Sequence, residues 1–461
     1  MTLEPTAPGS GAHSDRPTRV SAALCSAALS VLFLVVYGAC NEISARRADV
    51  GVLYWEWERL IPFVPSAIVP YMSIDLFFVA SPFLCATRNE MRGHAERIMT
   101  AILAAGAVFL LFPLSLAFDP PDVGGVYGRW FRLLEGFDRP YNLFPSLHIT
   151  LGLILLNFYV RHSRGILRVA VWIWFLLVLA STVLTWRHHV PDVLGGAVLA
   201  VICFYVVPFV QPVAAGASVG AASMNLRAGM IYAAASVAMG AVAVGMGGGG
   251  LLLLWPAVSL AIVSAAYFGW GAVVFRKAGG RLPLSAKLVL APYLIGLRLA
   301  HAVLSRGRPR WVEIRPNLTI GRRLSDREAE ELAADGFGAV LDLTAEYDTV
   351  EPFRKMAYRN IPVLDLTVPT TTQLASAAEF ITSRIREGGV YVHCALGVSR
   401  SAMAAGAYLL AGGHAGSVEE AVATVRKARP ETVLTSEAFA ALEGFRHVAE
   451  VPGVTNRGGS D

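Results

Sequence analysis

Charge is what this sequence is short of. Only 16% of its residues are charged and 55% are hydrophobic, where soluble domains carry about 25% charge. That shortage excludes an ordinary water-exposed globule and points to a membrane protein. Cysteine is scarce as well, with five in 461 residues. Cys25, Cys40, Cys85 and Cys203 lie in or beside apolar runs, where cysteine acts as a small hydrophobe, and only Cys394 sits in a charged region. No spacing matches a disulfide framework or a zinc site. Also missing is a basic stripe interleaved with aromatics, so nucleic acid is excluded as a partner despite the net charge of +5. The arginines instead flank apolar runs, as topology-setting residues do.

Long apolar runs are what the chain has in abundance. Eight predicted spans cover about 20–40, 62–85, 98–118, 145–160, 167–186, 193–213, 228–246 and 250–275. The first is long enough to cross a bilayer and has no cleavage site after it, so it reads as a signal anchor. The run GGGG at 247–250 turns the chain between the last two. A further stretch, 283–304, is interrupted by Lys287, Arg298 and His301 and reads as a helix lying on the membrane surface. With the N-terminus inside, basic clusters fall on the cytoplasmic side: Arg88, Arg92 and Arg97; Arg161, Arg164 and Arg168; Arg276, Lys277, Arg281 and Lys287. Residues 1–19 are polar and read as disordered. From about 310 charge rises, and the runs FGAVLDLT (337–344), YRNIPVLD (358–365) and VYVHC (390–394) alternate with helical patterns. Two of those helices open with Ser-x-x-Glu boxes, Ser325 with Glu328 and Ser417 with Glu420. The fold class is therefore a multi-span α-helical membrane bundle followed by a cytoplasmic α/β domain. The divisions expected are 1–19, a six-span domain 20–213, two spans plus a surface helix 214–309, the α/β domain 310–450 and a tail 451–461.

Within the α/β domain, HCALGVSRS (393–401) runs from a strand through a tight loop into an apolar helix. Gly397 lets the backbone curl, so that successive N–H groups and a helix N-terminus face one point. Such a cradle fits a phosphate and favours the thiolate of Cys394. Arg400 can grip two phosphate oxygens with its planar fork. Cys394 then attacks phosphorus, Asp365 protonates the leaving oxygen, and Ser401 hydrogen-bonds the sulfur. The loop LTVPTTTQ after Asp365 is a second place from which the acid geometry could come. HCALGVSRS resembles the signature of dual-specificity protein phosphatases, IPVLD their general-acid loop, and RPETVLTSEAFAAL (429–442) their C-terminal pattern. The resemblance covers roughly 310–450. It implies a cysteine-dependent phosphatase fold, Cys394 as nucleophile, Arg400 with Gly397 and Ser399 as phosphate binders, and Asp365 as acid.

A second constellation lies in the apolar part, in RWFRLLEGFDRPYNLFPSLH (129–148) and STVLTWRHHVPD (181–192). The fourth and fifth spans form a hairpin, so His148 and His188 share one membrane face. Polar residues at that depth are costly and mark a site. Two arginines, Arg132 and Arg139, would neutralise a phosphate; His188 would attack, Asp192 would orient it, and His148 would protonate the leaving alcohol. His189 is left as structural. These segments resemble the three motifs of the type 2 phosphatidic acid phosphatase superfamily over about 50–213, with Arg132 where that family has lysine and Thr182 where it has arginine. The branch containing inositol phosphorylceramide and sphingomyelin synthases shares the His-x-x-x-Asp spacing, so transfer and hydrolysis both stay open.

The joint expectation is a bifunctional membrane phosphatase with an outer histidine site and a cytoplasmic cysteine site, using neither metal nor cofactor. Its partners are membrane lipids and a phospholipid or phosphoprotein substrate, in the inner membrane of a bacterium by its Ala, Gly and Arg usage. Two other readings stand beside it: an anchored signalling protein phosphatase, and a receptor whose lipid-occupied bundle controls a binding domain.

Overall fold

The computed structural model describes residues 16–136, 139–209 and 224–449. The rest of the expected disordered terminus, the tail 451–461 and the boundary at 213/214 lie outside the described residues. The chain divides into two compact units, Met1–Phe209 and Val210–Asp461.

The first unit is helical: α1 (Arg19–Ala45), α2 (Ile68–Ala80), α3 (Arg88–Leu111), α4 (Gly125–Glu135), α5 (Leu147–His162), α6 (Gly165–Leu184) and α7 (Val190–Val206). Their starts follow local chemistry. Thr18, Thr87 and Ser146 each cap an orphan backbone N–H with a hydroxyl. Arg19 already belongs to α1, so the polar terminus ends before it. α3 starts ten residues ahead of the expected 98–118, because Thr87 caps it, and stops before Pro113. α1 packs on α3, α2 on α6, and α5 on both α6 and α7. Most of α5 is buried, from Leu147 to Tyr159, which places it at the centre of this unit. Glycine permits the closest approach: a Cβ on Gly196 of α7 would stand 2.4 Å from the Ser146 carbonyl oxygen.

Six described helices are long and apolar enough to span a membrane: Arg19–Ala45, Pro65–Leu84, Arg88–Leu111, Gly165–Leu184, Leu226–Met246 and Gly248–Phe275. The expected fourth and sixth spans are the shorter α5 and α7, of 16 and 17 residues.

The second unit opens with α8 (Leu226–Met246) and α9 (Leu254–Ala265), joined through the glycine run, where Gly247 and Gly248 take positive φ of 57° and 45°. The predicted surface helix is two pieces, α10 (Leu284–Val289) and α11 (Ala291–Leu304). The α/β part follows: β1 (Trp311–Arg315), β2 (Leu318–Gly321), α12 (Asp326–Ala334), β3 (Phe337–Thr344), α13 (Glu351–Arg354), β4 (Ala357–Val363), α14 (Thr371–Arg384), β5 (Gly389–His393), α15 (Arg400–Ala411), α16 (Val418–Ala428) and α17 (Ser436–Ala449). The sheet order is β1-β2-β5-β3-β4, parallel except for the β1/β2 hairpin. Strand β5 is central and fully buried, as its apolar stretch 390–392 requires. The hairpin was not among the expected strands; its turn rests on Asn317 at φ 68°. The Ser325 box forms as expected, whereas the Glu420 carboxylate reaches past Ser417 to the Gly416 N–H at 2.7 Å.

Candidate active sites

Strand β5 delivers Cys394 to the mouth of the α/β sheet and α15 starts at Arg400, so the loop between them is forced into a tight curl. Gly397 makes the curl possible at φ 71°; a Cβ there would stand 2.4 Å from the Gly321 carbonyl carbon. The loop's carbonyls are turned outward and occupied. Ala395 O accepts from Arg323 N at 3.0 Å and faces His301 Nε2 at 3.1 Å. Leu396 O accepts from the buried Arg429 at 3.1 Å, and Val398 O from Val433 N at 2.9 Å. With these carbonyls out, the Gly397 N–H turns in and donates to Cys394 Sγ at 3.2 Å. Ser401 Oγ lies 3.6 Å from the same sulfur. Ser399 is the residue just before α15.

Arg400 is buried and has a full set of acceptors. It donates to Glu346 at 2.9 Å, to Asp365 at 2.9 Å and to Val363 O at 2.7 Å. Burial opposes its charge, but Glu346 and then Asp365 hold the guanidinium protonated well above its ordinary value. Cys394, Arg400, Ser401 and Asp365 therefore meet in one place. Glu346 was missed by sequence reasoning; its signal is an acid just past the end of β3, level with the catalytic loop.

Behind the loop, His393 is buried, and burial pushes its imidazole below the usual value. Asp342 lies 3.8 Å away. Burial disfavours the Asp342 carboxylate, yet Lys277 at 2.7 Å, His393 and Tyr358 at 2.6 Å hold it well below the usual carboxylate range. Lys277 also donates to Thr344 O and Oγ1 at 2.8 and 3.0 Å. Sequence reading treats Lys277 as a topology-setting loop cation. In the fold it is a buried structural ion, because the chain leaving the last span enters the α/β core directly.

The histidine site is built inside the first unit. A cavity there is lined by His148, His188, Asn142, Tyr71, Asp75 and apolar residues of α1 and α2. His188 Nδ1 lies 3.6 Å from Asp192 Oδ2, an oxygen that also accepts from His189 N at 2.8 Å. His148 stacks on Tyr71 with ring centres 4.2 Å apart. Trp186, in the left-handed region at φ 53°, folds the chain back so that Arg187 and His188 both donate their N–H to Thr182 O. Arg139 and Arg187 line the adjoining small pocket with His188. They are held from behind by Glu42 at 2.9 Å and Glu135 at 2.8 Å.

The structure does not bring every expected group together. Arg132 is exposed on α4 and lines neither pocket, because Phe131 and Leu134 are the residues that helix turns inward. The missed residue is Arg187, adjacent in sequence to His188 and buried. It lines the small pocket with His188, while Thr182, which stands where the resembled family has arginine, bonds Leu179 O through its hydroxyl. His189 has both ring nitrogens engaged, with Glu58 at 3.1 Å and Ala117 N at 3.1 Å, as befits a structural residue. Among the described residues no group of three His, Cys, Asp or Glu side chains is placed to hold a metal.

Comparison with known proteins follows the same division. Residues 66–206 match the PAP2 superfamily, and residues 323–445 match the dual specificity phosphatase catalytic domain. A search of curated proteins found no match. Among solved structures, Tk-PTP in its active form is 29% identical, covering 30% of this chain and 97% of its own at a TM-score of 0.29. PTPMT1 in complex with PI(5)P is 23% identical, covering 31% and 97% at 0.29, and human DUSP28 is 22% identical, covering 31% and 97% at 0.27. The chain is thus a phosphatase that fuses a PAP2-superfamily segment of apolar helices to a dual-specificity-phosphatase catalytic segment.

Proposed function

We propose that the chain is a bifunctional integral membrane phosphatase whose two sites use different nucleophiles. What carries the reading is a repeated arrangement: each site gathers a nucleophile, a proton donor and a buried guanidinium. In the cysteine site, Cys394 Sγ attacks phosphorus while the bond to the leaving oxygen breaks and Asp365 supplies its proton. An incoming phosphate takes Arg400 from Asp365 and so frees the acid. Water then attacks the phosphocysteine, gives its proton to Asp365 and releases phosphate; Ser401 steadies the departing thiolate. Gly397 and Ser399 offer backbone N–H groups to the equatorial oxygens.

In the histidine site, His188 Nε2 attacks a lipid-borne phosphate, Asp192 stabilises the charged ring, and His148 protonates the leaving alcohol. Arg139 and Arg187 neutralise the phosphate. The apolar lining from α1 and α2 supports a lipid chain beside His148. Water or a second alcohol can take the phosphoryl group from His188. The arginine bias of the loops supports an inner-membrane placement with the histidine site outward and Cys394 cytoplasmic.

The test uses purified full-length wild type, Cys394→Ser and His188→Ala, with phosphate release measured from phosphatidic acid, phosphatidylglycerophosphate and a phosphotyrosine peptide. Each variant should lose one activity and keep the other. If His188→Ala loses nothing, the bundle is a lipid sensor without turnover; if Cys394→Ser also loses nothing, both assignments fall.

A further inference from the structure

The catalytic loops of the second unit rest directly on the ends of its two spans. Asn225 caps α8 through its Oδ1, accepting from Ala228 N at 3.0 Å, and its N–H donates to Tyr267 O at 3.2 Å. Its side-chain amide donates at 2.8 Å to Leu366 O, one residue past Asp365. Leu364, one residue before Asp365, and Ala345, one residue before Glu346, share an apolar cluster with Tyr267, Phe275, Tyr293 and Leu294. On the other side of the loop, α11 presents His301 to Ala395 O, and its Leu297 O accepts from the Tyr347 hydroxyl at 3.3 Å. The span ends and α11 thus brace both loops that carry the carboxylates facing Arg400.

Geometry then sets the depth of the site. α8 and the stretch Gly248–Phe275 form a hairpin, so Asn225 and Phe275 lie at the same end. Helices of this length place their ends at the boundary between hydrocarbon and headgroups. Groups that bond those ends lie at headgroup depth. The surface of the same unit agrees. With Tyr293, Leu294 and His301 turned to the protein, α11 exposes Ile295, Leu299 and Val303, spaced four apart along one stripe. Leu366 is 67% exposed, and Trp270, at the end of the second span, is 69% exposed. Arg298 and Arg306 flank the α11 stripe and are exposed, the charge an anionic lipid surface attracts.

We infer that the cysteine site takes its phosphomonoester from a lipid of the same bilayer, entering at headgroup depth beside Leu366, and not from a phosphorylated protein. The inference rests on Cys394 being the nucleophile and adds the substrate class.

The experiment uses full-length His188→Ala protein in phosphatidylcholine nanodiscs, so that only the cysteine site turns over. Three probes are compared: phosphatidylglycerophosphate in the disc, a phosphotyrosine peptide, and p-nitrophenyl phosphate. The lipid should exceed the peptide in kcat/KM by at least about tenfold, and Leu299→Glu/Val303→Glu should lower lipid kcat/KM by about tenfold with p-nitrophenyl phosphate hydrolysis unchanged. A peptide turned over as well as the lipid, or a lipid rate untouched by the charged stripe, overturns the inference while leaving the nucleophile in place. Hydrolysis of p-nitrophenyl phosphate that survives a further Cys394→Ser change removes the nucleophile reading and the inference with it.

Discussion

The two sites solve one electrostatic problem with different materials. In the first unit the positive charge comes from side chains, Arg139 and Arg187, each held from behind by a carboxylate. In the second it comes from backbone N–H groups turned inward by a loop whose carbonyls are bonded outward, with a single buried guanidinium added. The contrast follows from the scaffold. A helix satisfies its backbone along its length, and here the hydroxyl of Ser146 already caps an N–H at the start of α5, so the charge comes from side chains. A strand–loop–helix junction leaves amides free and can aim them. One site should therefore depend on individual arginines, and the other on the shape of a loop.

Replacing the nucleophiles is the sharpest way to break that comparison. Cys394→Ser and His188→Ala should each lower turnover at their own site by about a thousandfold or more, with the other site near wild type, as read by lipid and soluble substrates in parallel. Next comes the ion buried beneath the loop. Lys277→Met leaves the Asp342 carboxylate buried without its ammonium partner, and should destabilise the second unit by about 3 kcal/mol, while Lys277→Met/Asp342→Asn recovers part of the loss in thermal unfolding. In Cys394→Ser protein, where only the histidine site turns over lipid, Arg187→Ala should cost about a hundredfold and Arg132→Ala almost nothing, which tests the exchange of phosphate ligands. Glu346→Gln should lower kcat at the cysteine site by about tenfold, since Arg400 then loses the charge of its first ionic partner and half of the two-oxygen grip.

The smallest effect is in acid. The folded Asp342 carboxylate is held below its unfolded value of about 3.9, so its stabilisation is present above that pH and fades as pH falls towards the folded value. The stability advantage of wild type over Asp342→Asn should therefore shrink below about pH 4, measured by unfolding midpoints across a pH series.

Much of this was legible without a fold. Strand β3 matches FGAVLDLT residue for residue, because a buried parallel strand needs a mainly apolar run, here broken only where Asp342 and Thr344 bond Lys277. Gly397 and Arg400 stood out because a tight loop before a helix needs that glycine and that fork. Arg187 was passed over because the expected ligand position was Thr182, and only the fold, through the left-handed turn at Trp186, puts the Arg187 side chain into the pocket shared by Arg139 and His188. Arg132 misled for the opposite reason: its motif spacing fits, but the amphipathic face of α4 turns it outward. Lys277 and Asn225 carry no local signal, since their partners lie 65 and 141 residues further along the chain.

By itself the sequence determined what local chemistry determines: the apolar segments, from their composition; the phosphate loop, from one glycine and one arginine; and the histidine pair, from the hairpin that joins two helices. The tertiary structure decided which charges converge and what encloses them. Glu346 behind Arg400, Glu135 behind Arg187, and the span ends under the loop that follows Asp365 are long-range placements. Burial sets their meaning, because a carboxylate or an ammonium group taken out of water must find its partner in the folded core.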